Sequence, residues 1–253
     1  MLDAHRQAGS ALRLEWGPYG AAAIGRGCGV AVVVDVLSFT TTVTVAADRG
    51  IGVLPYRWGA DDAARAFAGA RGATLAVGRS RARPDEVSLS PRSVRRARDL
   101  RRLVLPSPNG STISAGLAGE VPAVVAMSLR NRRAVAGWLG ERRAADRGLS
   151  VAVVCAGERW PDGSLRPAVE DLWGAGALVE LLAGGGWPDV APEAIAAAAA
   201  FGALDGAVGD GLRACASGRE LIDAGHPDDV EIAAELDRSA SVPVLRDGMF
   251  GPA

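Results

Sequence analysis

The sequence predicts an α/β fold, a three-layer α/β/α arrangement around a mostly parallel or mixed sheet. Three observations carry that expectation. Val30–Val34 reads VAVVV, an unbroken apolar run of the kind found in strands buried on both faces. Apolar runs of strand length then alternate with helix-length segments as far as residue 182, the pattern of βα units on a covered sheet. With 253 residues, 49% hydrophobic and 23% charged, the chain has enough apolar side chains for one large core. A single α/β domain over 1–253, or two closely fused lobes, is expected.

Taken in order, the run at 30–34 is followed at once by Asp35, and the hydroxyls at 38–42 stand where they would cap a helix running through Val43 and Ala47. A strand at 52–55 precedes a helix near 61–70. The apolar piece 74–77 comes next, then a strand at 103–105 with a helix from Ser111, and a strand at 121–127 with a helix over 132–143. The run at 151–155 and a helix over 169–182 complete the alternation. Beyond Leu182 the chain turns to Ala- and Gly-rich helices up to Ala216, with a candidate strand at 230–233. The segment 242–245 reads as an edge strand, because Pro243 has no N–H for a ladder. In such sheets ligands sit beyond the carboxyl ends of the strands.

Composition excludes several function classes. A net charge of −1 supplies no field toward nucleic acid or an anionic membrane, which leaves a small ligand as the expected partner. All 28 basic residues are arginine, so a Walker phosphate loop with its lysine is absent. Gly25-Arg26-Gly27-Cys28-Gly29 precedes the first strong strand instead of following it, and reads as a tight turn and not a dinucleotide fingerprint. His5 and His226 are the only histidines, poor material for a histidine metal cluster or a Ser/His/Asp triad. Any metal would be a hard ion held by oxygen, such as Mg²⁺. Three widely spaced cysteines, Cys28, Cys155 and Cys215, fit a reducing cytoplasm better than a disulfide framework. No apolar run approaches the length of a bilayer span, and the start of the chain has no signal-peptide pattern.

The loops carry the chemistry. Asp35 ends a buried strand, where a carboxylate holds a hard cation, attacks phosphorus or simply caps the next helix. Asn109, Gly110, Ser111 and Thr112 open a helix after a strand, so their N–H groups suit an anion, or else make a plain Asn-Gly turn. Glu170 and Asp171 are adjacent acids in the first turn of a helix, placed for metal binding or acid–base work, or for the helix dipole alone. Glu158 orders a water or is a solvated loop acid. Ser128 and Asn131 cap a helix or touch the ligand, and Cys155 reads as a packed thiol.

In order, Val34-Asp35-Val36-Leu37 with Thr40-Thr41-Thr42, Pro108-Asn109-Gly110-Ser111, Met127-Ser128-Leu129 with Asn131, Cys155-Ala156-Gly157, and Glu170-Asp171 with Ala175-Gly176-Ala177 resemble 2-phosphosulfolactate phosphatases. The tail Ser217-Gly218-Arg219-Glu220-Leu221, Gly225, Asp228-Asp229-Val230 and Val242-Pro243 extends the likeness, which covers about 30–245. The resemblance implies Mg²⁺-dependent hydrolysis of a phosphate monoester of a small anionic acid, of the coenzyme M biosynthesis type, on an α/β fold for which a homodimer is open. With the resemblance placing an acidic pair at Glu170 and Asp171, the catalytic candidates are Asp35, Glu158 and Glu170, and the metal-ligand candidates are Asp35, Glu170 and Asp171. Asn109, Gly110, Ser111, Thr112 and Asn131 would then contact the anion.

The departures fall where the chemistry should be. Ser38 and Thr112 stand where the family pattern has arginine, Gly78-Arg79 replaces Gly-Glu, and Leu89-Ser90-Pro91 is what remains of Gly-Asn-Ser-Pro. Arg79, Arg81, Arg83 and Arg92 either return positive charge from another direction or form a solvated basic loop. The alternative to an enzyme is therefore a non-catalytic or repurposed family member that binds a small acid or a partner protein.

Overall fold

The computed structural model describes residues 3–57, 61–83 and 85–253; Met1 and Leu2 of the start read above lie outside them. Nine strands form one mixed sheet flanked by helices, which is the α/β class expected. Its first parallel set comprises β1 (Leu12–Trp16), β7 (Val151–Cys155), β2 (Val30–Val34) and β6 (Ala123–Met127), in that spatial order. Its second comprises β3 (Gly52–Arg57), β5 (Arg102–Ser107) and β4 (Thr74–Leu75). An antiparallel hairpin, β10 (Pro243–Arg246) and β11 (Met249–Pro252), joins the two sets.

The alternation of side chains along β2 shows why its sequence is apolar throughout. Val30, Val32 and Val34 enter one core with residues of α6 (Arg132–Ala145), α7 (Val169–Gly184) and α8 (Pro192–Gly202). Ala31 and Val33 enter a second core on the other face with α1 (Gly17–Gly25) and α5 (Gly110–Leu117). A third core lies under α2 (Phe39–Asp48) and α4 (Pro91–Arg96), against β3 and β5. The alanine run belongs to α8, which packs closely on α7: a Cβ added at Gly176 would lie 2.0 Å from the carbonyl oxygen of Ala197. Small residues there let two backbones approach.

Three expectations are corrected. The piece at 230–233 is the end of a helix, α11 (Pro227–Ala233), with Pro227 in its first turn and Asp228 and Asp229 behind it; four apolar residues do not distinguish strand from helix. The segment with Pro243 is not at a sheet edge. It lies between β6 and β11 and is tolerated because Pro243 is the first residue of β10, while the ladder to β6 runs through Val244 and Leu245. The hydroxyls at 38–42 do not cap α2; those of Thr40 and Thr41 fasten the loop before it, and those of Ser38 and Thr42 donate to the Leu89 carbonyl. β1, α1 and β11 had no counterpart in the sequence reading, although Leu12, Leu14 and Trp16 alternate with Arg13 and Glu15. The glycine-rich piece after α1 is a turn, closed by the Cys28 N–H on the carbonyl of Gly25 at 3.0 Å. No helix among the described residues is long and apolar enough to cross a membrane.

Candidate active site

The loops that leave β2, β5 and β7 converge. Thr40 fixes the first of them: its hydroxyl donates to the Asp35 carbonyl at 2.7 Å and accepts the Asp35 N–H at 3.0 Å. The Thr41 hydroxyl donates to the carbonyl of Val36 at 2.8 Å. With its backbone held, the Asp35 carboxylate meets the starts of two helices. Oδ1 accepts the N–H of Phe39 at 3.0 Å, and Oδ2 accepts that of Gly110 at 2.9 Å. Residue 110 has to be glycine, since an added Cβ would sit 2.6 Å from Asp35 Oδ2 and 2.4 Å from the Phe39 ring.

Asp171, in the first turn of α7, is a clasp. Its Oδ1 accepts the N–H of Val36 at 2.7 Å and its Oδ2 that of Gly157 at 2.9 Å, tying the loop after β2 to the loop after β7. Gly157 turns the chain into a short hairpin, β8 (Glu158–Arg159) and β9 (Leu165–Arg166). Glu158 is thereby brought over β5's loop, where its Oε2 accepts from the Asn109 amide at 2.9 Å.

The result is a cleft of about 260 Å³ lined by Asp35, Ser38, Arg79, Asn109 and Glu158 among others. Burial lifts Asp35 to about 6, against the pull of its two backbone N–H partners, with Glu170's charge adding to the rise and Arg79 opposing it. Burial lifts Glu158 to about 7, reinforced by the charge of Asp35 and opposed by the Asn109 bond and by Arg166. Both carboxyls are thus raised toward neutrality, the range in which a side chain can take up and release protons in acid–base work. Burial, then the charges of Asp35 and Glu170, push Asp171 well above the carboxylate range.

The remaining expected residues are placed differently. Glu170 is buried behind the cleft and does not line it. Its charge helps to raise Asp35, Glu158 and the Cys215 thiol, which burial first of all lifts to about 12. Of the expected anion-binding group, only Asn109 faces the cleft. The Gly110 N–H is spent on Asp35, so this helix start already holds a carboxylate of the protein itself. Ser111 is buried and donates to the carbonyl of Leu105 at 2.6 Å, and Thr112 donates to that of Ser107 at 3.2 Å. Asn131 is a structural bracket: it accepts the Ser128 N–H at 2.9 Å and donates to the carbonyls of Ala126 and Ser241 at 3.3 and 3.0 Å. Cys155 is a packed thiol, raised well above its ordinary value by burial.

Arg79 was the residue least legible in advance. It comes from the segment after β4, donates from Nε to Asp229 at 2.9 Å and from Nη2 to the Ser38 hydroxyl, and lines the cleft. A guanidinium thus stands against Ser38, the position where the resembled pattern has arginine. Its sequence signals are the Glu-to-Arg exchange at 79 and its place in the arginine cluster of residues 79–92.

Mg²⁺ finds hard oxygen donors here, yet among the described residues no group of three or more acids, histidines or cysteines is gathered to hold a metal. Asp171 has one backbone N–H on each oxygen and Glu170 lies behind the cleft, so the expected three-carboxylate set is not assembled. The residues fit the other habit of Mg²⁺, in which one or two carboxylates share the ion with substrate phosphate and water. Asp35 meets that need, because a carboxylate has about four lone-pair sites and backbone N–H groups take two of them.

Comparison with curated proteins returns no match. A family profile does match: the one described as 2-phosphosulpholactate phosphatase, over residues 23–248. That span includes the three strands whose loops build the cleft, and the acids, the asparagine and the arginine that line it, so the chain belongs to the 2-phosphosulpholactate phosphatase family.

Proposed function

We propose that this protein is a Mg²⁺-dependent phosphatase that hydrolyses the phosphate monoester of a small anionic acid, with Asp35 and Glu158 as its working carboxylates. The family membership supports phosphoric monoester hydrolysis. The single observation that carries the residue assignment is that Asp35 and Glu158 line one cleft, both raised toward neutrality by burial. Asp35 is the carboxylate that holds a water and accepts its proton as the oxygen adds to phosphorus. Glu158, which burial raises to about 7, carries the proton that the leaving alkoxide oxygen takes as the P–O bond breaks. The products are the free hydroxy acid and inorganic phosphate; the proton on Asp35 returns to solvent and Glu158 takes one up from it. Asn109 keeps Glu158 in place, and the Gly110 and Phe39 N–H groups orient Asp35. Mg²⁺ bound by Asp35 and the ester's own oxygens would neutralise charge on the phosphoryl group.

Phosphate release across short phospho-acids, 2-phosphosulfolactate included, tests this with Mg²⁺ and with chelator. Wild type should release phosphate from at least one ester only with Mg²⁺, and Asp35→Asn should lose roughly 10²–10⁴-fold. Calorimetry should show weaker Mg²⁺ binding in Asp35→Asn. No release from any ester would remove the enzyme reading in favour of a non-catalytic binder of small acids. That second reading draws on Thr112, whose hydroxyl is tied to the chain where the family pattern has arginine.

A further inference from the structure

The lining of the cleft holds one guanidinium among the described residues, that of Arg79. A buried carboxylate, Asp229 of α11, accepts its Nε–H at 2.9 Å. Asp229 is itself seated, taking the Ser90 hydroxyl on its other oxygen. The guanidinium is further bounded by the Ser38 hydroxyl and by the Leu89 carbonyl, both on Nη2. These contacts fix the plane of the fork. They use Nε and Nη2 and leave both N–H groups of Nη1 without a bond to the described residues. Arg79 lines the same cleft as Asp35, and its side chain is 20% exposed.

Resting on the phosphatase reading, we infer that Arg79 binds the phosphoryl group of the substrate, supplying from the segment after β4 the charge that Ser38 does not supply from the loop after β2. Asp229 and Ser90 are positioning residues that aim the fork. A phosphoryl group between Arg79 and Asp35 would meet the charge-assisted Nη1 donors on one side and the acid pair on the other. Because Thr112 is committed to Ser107, the cleft matches one strongly anionic group with a guanidinium and has none for a second. The chemical class that fits is a short phosphate monoester whose remainder is weakly charged, in a space of about 260 Å³ with Leu37, Phe39, Leu89 and Pro108 in its wall.

The test measures binding of inorganic phosphate by calorimetry in Mg²⁺-containing buffer, which needs no turnover. Arg79→Gln should weaken phosphate binding by about tenfold or more. Arg79→Lys should recover part of it, and the double variant Arg79→Gln with Ser38→Arg should recover more, by returning a guanidinium to the same corner. Thermal melts accompany each variant. Phosphate affinity in Arg79→Gln within threefold (about 0.6 kcal/mol) of wild type overturns the inference, as does a wild type that binds no phosphate. If neither Arg79→Lys nor the double variant recovers binding, Arg79 acts through the loop's structure and the inference also falls. A wild type that binds phosphate through Arg79 but hydrolyses no ester refutes the phosphatase reading and leaves this one standing.

Discussion

Replacing Glu158 by glutamine should change how stability depends on pH, because this carboxyl sits over a cleft already holding Asp35. Its value rises from 4.5 to about 7 on folding. A group raised in the folded state contributes stability that is fully present below its unfolded value and is lost as pH rises through the folded one. The ionised Glu158 therefore costs the native state at high pH. At about 1.4 kcal/mol per pH unit the full rise is worth roughly 3 kcal/mol, and partial exposure of the side chain to solvent reduces this to about 2 kcal/mol. Glutamine keeps an oxygen for the Asn109 amide and removes the charge. In chelator, Glu158→Gln should be about 2 kcal/mol more stable relative to wild type at pH 8.5 than at pH 4.5. The assay is urea unfolding at a series of pH values, read as the difference between the two proteins so that other titrations cancel. A stability gap that stays constant from pH 4.5 to 8.5 would refute the reasoning, since Glu158 would then ionise freely in the folded chain.

Asp171→Ala should leave the buried N–H groups of Val36 and Gly157 without partners and destabilise the fold by about 3 kcal/mol or more, seen as a lower denaturation midpoint with unchanged slope. Gly110→Ala should fold but displace Asp35 and Phe39, so phosphate release should fall at least tenfold (about 1.4 kcal/mol of barrier) while far-UV circular dichroism is preserved. Asn131→Ala should cost roughly 2–3 kcal/mol by breaking its bonds to Ser128, Ala126 and Ser241, and leave the KM for an ester unchanged; a raised KM would return Asn131 to the anion site. Turnover of 2-phosphosulfolactate should be weak, because among the described residues the cleft carries one guanidinium for two strong anions; a coupled phosphate assay on that ester, set beside a phospho-acid with no sulfonate, decides it.

The sequence alone determined the layers and the address of the site. A run such as VAVVV carries enough β-branched burial to be a strand wherever it is placed, and Asp35 directly after it had to emerge at a carboxyl end. The collinear loop motifs named the family that the profile match bears out over residues 23–248. What the sequence left open was every question that depends on which loops meet. Residues 230–233 are too few to tell strand from helix by pattern, and Pro243 entered the middle of the sheet because only its place in the ladder, not its type, decides whether the missing N–H matters. The two adjacent acids Glu170 and Asp171 look alike in sequence, yet one is spent as a clasp between two loops and the other lies behind the cleft. Arg79 and Ser38 are 41 residues apart, and Arg79 and Asp229 are 150 apart. No local pattern encodes such pairings: they exist only once the sheet has brought separate loops together, because a side chain's charge acts over a few ångströms of space and not along the chain.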